Sequence, residues 1–403
     1  MVFLEILFAI SIGIISGTIT GLLPGLHTNT IAILLVSSLP ILSNHFSEIA
    51  LAAFIIAMII THSFLDAIPA IFLGAPEADT ALGVLPGHQL LLEGKGYHAL
   101  KLTVLGGIGT SAIAVLIIPI LLISLEHAYT YLQQIIAPIL IVLSILFILR
   151  ESNNKKRIWA LLIFMLSGTL GTLTLNKLNI SNPLFPLLTG FFGVPVILLS
   201  IARETNIPKQ TTSSRLTLIT KQNILSYIKA SISSAIVSIL PGIGAAQAAM
   251  ISQGFTKFKN KEQFLTIIGG INTASVFYTL TTLYILDKAR TGAMVAIQFF
   301  LTLNPNQYIL LILTSITTLG FAVTLTLLLG KLFAKKIAKV SYKKISIGIL
   351  AIILFFTIKL SGCLALPVLA VATAIGLLPV KTNIRRIHAM GALILPVIFY
   401  YLV

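Results

Sequence analysis

Only one cysteine, one tryptophan and eleven acidic residues occur in this chain of 403. With Cys363 alone, no intrachain disulfide can form and no cysteine cluster can hold a metal. No GxxxxGK[ST] run is present, which excludes a P-loop as the source of driving energy. Neither HExxH nor GxSxG occurs, so two common hydrolase plans are also missing. Charged residues of both signs make up 9% of the chain, against 57% hydrophobic residues, and the mean hydropathy is +1.04. A water-soluble domain of this length would be far more polar. The composition implies a polytopic protein of the lipid bilayer. The first residues have no basic leader before their apolar run, so no cleavable signal is expected there.

The shortage of acid leaves 27 Lys and Arg against 11 Asp and Glu, a net charge of +16. On a soluble protein this would suggest nucleic acid. Here the cations sit in short stretches between apolar spans, with no aromatic residues interleaved. That pattern follows the positive-inside rule and excludes a nucleic-acid partner.

Against this background, two Pro-Gly dipeptides occupy matching apolar settings. One copy reads Gly13-IISGTITGLLPGLHTNT-Ile31, and the other Ala230-SISSAIVSILPGIGAAQ-Ala248. When Pro24-Gly25 is aligned with Pro241-Gly242, Gly13, Gly17 and Gly21 fall on Ala230, Ser234 and Ser238. Both copies thus carry small residues at four-residue spacing, which lets a neighbouring backbone approach closely. Each then meets a break that a helix interior does not tolerate cheaply. Apolar segments broken at corresponding places in two halves point to a transporter's binding site.

Apolar spans are expected near 48–74, 98–124, 133–150, 158–176, 184–203, 263–285, 307–330, 345–360, 363–379 and 387–402. Basic stretches fall at Lys95 and Lys101, Arg150 to Arg157, Arg203 to Lys221, Lys257 to Lys261, Lys331 to Lys344, and Lys381 to Arg386. Outside the hairpin, two spans separate successive stretches. All therefore lie on one side, expected to be the cytoplasm. The segment 223–254 lies between two such stretches and should enter and leave by one face. It reads as a helical hairpin with a broken tip, and 3–43 as its counterpart entered from the other face. The expected fold is an all-α, multi-pass cell-membrane protein of two inverted repeats, 1–202 and 203–403, with about ten spans besides the hairpins.

With these residues in view, the chain resembles the TctA family, the large membrane subunit of tripartite tricarboxylate transporters, in a shorter archaeal-type form. The resemblance rests on GTITGLLPGLHTNT, the segment from Phe72 to Lys101 with GAPEADT and GHQLL, SAIVSILPGIGAAQAAM, and Gly270 to Val295. It implies a secondary transporter of small carboxylates. It also implies two partners, a small membrane subunit and an extracytoplasmic binding protein. One departure is PGLHTNT at the first tip, where the family usually has glycine and small residues.

A broken helix frees backbone amides, and the new helix start turns a positive dipole end inward. An anionic substrate is therefore expected at Pro24, Gly25, His27, Thr28, Asn29 and Thr30 on one tip. The other tip offers Pro241, Gly242, Gly244 and Gln247. The bland alternative is a pair of packing kinks. His62 and Asp66, one turn apart within a span, read as a proton or cation relay or as a closed packing pair. A Na+ or H+ gradient would supply the coupling, with no other cofactor. Asn272 and Thr273 would line the same cavity from the second half. Glu77 and Asp79 occupy a place equivalent to Asp287, Lys288 and Arg290. Arg290 either guides an anion or pairs with Asp287 as an inert cluster. Carboxylate transport leads, and a polyprenyl-phosphate flippase is the alternative, since such tips suit phosphate equally. An intramembrane acid–base enzyme built on Asp66 and His62 ranks last, so no catalytic residues are assigned. Substrate identity and a homo-oligomeric state stay open.

Overall fold

The computed structural model describes residues 2–23, 28–74, 84–202, 207–213, 217–239, 248–249, 252, 261–337 and 342–402. Pro24, Gly25, His27, Glu77, Asp79, Pro241, Gly242, Gly244 and Gln247 lie outside the described residues, as do the side chains of Asn29 and Thr30. Among the described residues every regular element is helical.

Seven helices are long and apolar enough to cross a membrane: Phe3–Leu22, Glu48–Leu73, Gly96–His127, Asn154–Asn176, Lys261–Leu286, Pro305–Ile337 and Ala365–Thr382. Shorter apolar helices occupy Ala137–Leu149, Leu184–Leu199, Ser346–Ser361 and Arg386–Leu402. Each expected span falls on one of these segments. Phe3–Leu22 is the first arm of the expected first hairpin.

Two of these segments are joined without a break. Segments 98–124 and 133–150 are not separated by a loop but belong to one helix, which we number α6 (Gly96–Leu149), of 54 residues. The stretch joining them, Leu125 to Ile136, has neither glycine nor proline, but Pro138 just beyond it leaves the Gln134 carbonyl without its helical donor, a place where the element can bend. A straight helix of this length would span about 80 Å. Yet His88 and Leu92, before its start, line the same cavity as Arg150 and Ser152, after its end. The element therefore doubles back. Its far end is marked by Tyr129, whose hydroxyl lies 3.5 Å from Lys288 Nζ. Its near end is marked by Glu93, 3.2 Å from Lys261. Lys261 and Lys288 sit at opposite ends of one 26-residue helix, Lys261–Leu286.

The small-residue ridges do what their spacing predicts. Helix α1 (Val2–Leu22) runs parallel to α4 (Glu48–Leu65). A Cβ added at Gly13, Gly17 or Gly21 would come within 2.8, 2.7 and 2.8 Å of the Ala57, Thr61 and Leu65 side chains. No larger residue fits that seam. In the second half, α10 (Lys221–Ile239) lies along α11 (Lys261–Leu286). There Ser234 Oγ donates to the Ile271 carbonyl at 3.3 Å, and Thr282 Oγ1 to the Ser238 carbonyl at 3.4 Å. Gly21 meets Leu65, and Ser238 meets Thr282, each across 44 residues of chain.

Contacts between the halves come in exchanged pairs. The first-half helix α6 packs on α11, and the second-half helix α13 (Pro305–Ile337) packs on α4. Helix α7 (Asn154–Asn176) packs on α16 (Gly391–Leu402). Its mate is the contact of α15 (Ala365–Thr382) with the Leu184–Ala202 helices, α8 (Leu184–Leu188) and α9 (Val194–Ala202). Exchanging the halves turns each contact into its partner. At the α6–α11 crossing, glycines let the backbones touch: a Cβ on Gly106 would stand 1.8 Å from the Thr266 carbonyl oxygen.

Candidate functional site

The site begins where α4 loses its regular winding. Pro69 has no N–H to give the Leu65 carbonyl, so one bond of the α-helical ladder is missing just beyond Asp66, while the Ala70 N–H still reaches the Asp66 carbonyl at 3.2 Å. The next turn, Pro69–Leu73, is a π-helix that ends at Gly74 with a left-handed φ of 67°. Asp66 stands at this transition and is 2% exposed. A carboxylate so deep needs hydrogen-bond donors. Asn272 provides one across the half-to-half boundary, donating from Nδ2 to Asp66 Oδ2 at 2.9 Å and to the Ser63 carbonyl at 3.0 Å. Ser63 Oγ reaches Thr273 Oγ1 at 3.4 Å. One turn earlier, His62 Nδ1 lies 3.0 Å from Thr20 Oγ1, on the first hairpin arm close to its break.

Four of the expected residues, His62, Asp66, Asn272 and Thr273, thus fall in one buried polar seam joining α1, α4 and α11. Beside it Ser63, Asp66, Thr103 and Asn272 help line a cavity of about 20 Å3. That is room for one water or one small cation with oxygen ligands. Thr28 is buried at the start of α2 (Thr28–Ser37). The Glu5 carboxylate accepts from the Ser47 N–H, and the rings of Phe8 and Phe46 stack at 6.2 Å. The chain that leaves at residue 5 is therefore back at the same end by residue 47.

Arg290 lies apart from this seam. Its Cζ stands 5.3 Å and Lys288 Nζ 4.6 Å from the centre of the Tyr129 ring, so one tyrosine carries two cations. Asp287 does not neutralise them. Its carboxylate and carbonyl both accept from Gln298 Nε2, at 3.2 and 2.6 Å. Arg290 Nε and Nη2 are buried without a hydrogen-bond partner.

Sequence reasoning passed over Thr20, Thr103, Tyr129 and a buried Glu151–His388 pair at 3.0 Å, with Arg385 Nε 3.9 Å away. Glu151 was hidden because its neighbours are basic. For the seam, the missed signal was Pro69, three residues after a buried aspartate.

His88, on α5 (Val84–Leu92), is 5% exposed, and burial pushes its pKa down to about 4, with Arg386 lowering it further and a backbone hydrogen bond to Ile71 opposing. The fold holds this imidazole neutral. Its contribution is complete above the unfolded value near 6.5 and is lost as pH falls toward 4. Between those limits the melting temperature should fall less steeply in His88→Gln than in the parent. Identical slopes would show that His88 does not titrate with unfolding.

The described residues are those of a helical, multi-pass membrane protein with one carboxyl group, Asp66, buried against a helix of the second half. Residues 7–391 match the family described as the tripartite tricarboxylate transporter TctA family, and the chain belongs to it. It is also similar to an uncharacterized protein of Methanocaldococcus jannaschii, 31% identical over 415 residues and covering 99% of each chain. No solved structure matches it. Family membership makes this chain the membrane component of a tricarboxylate-type transporter.

Proposed function

We propose that the protein is an ion-coupled secondary transporter of small organic anions, such as di- and tricarboxylates, held between two broken hairpin tips. The observation that carries this reading is the buried Asp66–Asn272 contact between the halves, beside the arm that leads to the first break. A carboxylate placed there titrates or binds a cation at the seam on which the halves would move. The exchanged contacts support a repeat of 1–202 by 203–403, which the charge pattern of the loops makes an inverted one. The return of the chain from Glu5 to Ser47 supports a re-entrant 3–43 hairpin. Arg290 and Lys288, at the end opposite Glu93, would draw anions toward the mouth. A small membrane subunit and a binding protein would dock on the same assembly, as expected of the family.

A thermal-shift screen of citrate, other carboxylates and phosphates on purified protein tests substrate class. In the same assay Asn29→Ala and Gln247→Ala should weaken citrate binding by about 1–3 kcal/mol, as for hydrogen bonds to a charged group. Wild-type affinity in both variants would reduce the tips to packing kinks.

Orientation has its own test. In a Cys363→Ser background, single cysteines at positions 154, 212, 259 and 340 should resist an impermeant thiol reagent applied to intact cells. Labelling at any of them from outside would refute the cytoplasmic placement of the basic loops.

A further inference from the structure

We propose that Arg290 is a substrate contact: one edge of its guanidinium takes a carboxylate of a substrate bearing two or more, at the far end of the second hairpin arm, with Lys288 beside it for another. This deepens, and rests on, the reading of the chain as a transporter of small organic anions. Arg290 Nε and Nη2, the two nitrogens buried without a hydrogen-bond partner, form one edge of the planar guanidinium. Their N–H groups point the same way, at a spacing that matches the two oxygens of a carboxylate. The Tyr129 ring, 5.3 Å from Cζ, attracts the charge, but its face offers these N–H groups no oxygen. Buried donors left unpaired are costly, and a bidentate acceptor removes that cost. Lys288 Nζ stands 4.6 Å from the centre of the same ring. Among the described residues neither cation forms an ion pair: Glu126, one turn before Tyr129, is exposed, and the Asp287 carboxylate is held by Gln298. Two like charges on one ring repel. An anion with two carboxylates relieves both that repulsion and the unpaired edge, whereas a monocarboxylate meets one need only.

The second hairpin supplies the setting. Leu125 and Tyr129 of α6 form a small buried cluster with Ile239, and Ile285 and Leu286 pack on it. Ile239 is the last residue of α10, two before Pro241. Arg290 therefore stands beside the arm that leads to the second break, much as His62 meets Thr20 on the arm that leads to the first. Since Nε and Nη2 are closed to solvent, an anion reaches them only as the surrounding helices shift. The contact thus belongs to an occluded state, and long-range steering alone would not use it.

The full chain, purified in neutral detergent, would be titrated with citrate, succinate and propionate, following the melting temperature. Citrate or succinate should bind saturably and about tenfold or more tighter than propionate. Arg290→Lys, which keeps the charge but loses the fork, should weaken the tighter of the two about tenfold. That loss should persist in about 1 M potassium chloride, where the screening length is about 3 Å. Lys288→Gln, at an exposed position, should narrow the gap between that ligand and propionate. Parent affinity in Arg290→Lys would overturn the proposal while leaving anion transport standing. So would a loss that vanishes in high salt, which is steering, or propionate bound as tightly as citrate and succinate. No saturable shift of the parent with any of the three would overturn the transport reading and this contact together. Should Arg290→Lys fail to fold, Lys288→Gln decides: an unchanged preference over propionate refutes the paired site.

Discussion

Gly106→Leu is expected to abolish folded protein, whereas Gly320→Ala should fold and melt at or above the parent temperature. The contrast follows from what surrounds each position. A Cβ at Gly106 would stand 1.8 Å from the Thr266 carbonyl oxygen and 3.0 Å from the Gly270 nitrogen, both backbone atoms on the facing helix. No rotamer change relieves such a clash, so α6 and α11 would have to separate along the seam that joins the halves. Overpacking a core typically costs about 1–3 kcal/mol even when side chains can yield, and here none can. Gly320 lies in α13 with nothing within 4 Å of its added Cβ. Alanine there gains about 1 kcal/mol of helix propensity. Fluorescence-detected size exclusion of tagged variants checks both. A monodisperse, normally expressed Gly106→Leu protein would show that the two backbones do not lie in contact.

Asp66→Asn should give the largest functional loss. Gradient-driven uptake of labelled citrate into proteoliposomes should drop to the level of protein-free vesicles, while citrate still shifts the melting temperature. The substitution keeps size and can still meet Asn272, so packing is spared, but it removes the group that titrates or ligates a cation. Asn272→Ala should lie between, because it takes the donor from a buried carboxylate that remains. Full gradient-driven uptake by Asp66→Asn would make the seam a closed packing contact.

Much of the helical plan was legible because apolar runs of membrane length have few other readings. The four-residue ridge of Gly13, Gly17 and Gly21 announced a close neighbouring backbone, and α4 is that neighbour. His62 and Asp66 stood out because polar groups inside a span are expensive. What they touch was not legible. Asn272 is separated from Asp66 by 206 residues, and only the crossing of α4 and α11 brings them together. Nor could spacing show that Lys288 and Arg290 stack on Tyr129 rather than pair with Asp287. That the spans at 98–124 and 133–150 are joined as one helical element was not legible, because apolar runs alone do not say how the chain turns. The Pro-Gly tips lie outside the described residues, and their role rests on the binding tests above.

The doubled-back α6 bears on how the chain enters the membrane. Apolar segments integrate in lengths of about 20 residues, and a polar or basic interruption normally marks where one ends. Between Lys101 and Arg150 the sequence has no lysine or arginine, and Glu126 and His127 are its one acid and one histidine. No cation at the turn resists translocation. Both arms would therefore cross as one unit, with basic residues, Lys95 and Lys101 at one open end and Arg150 to Arg157 at the other, holding the two ends on the same side.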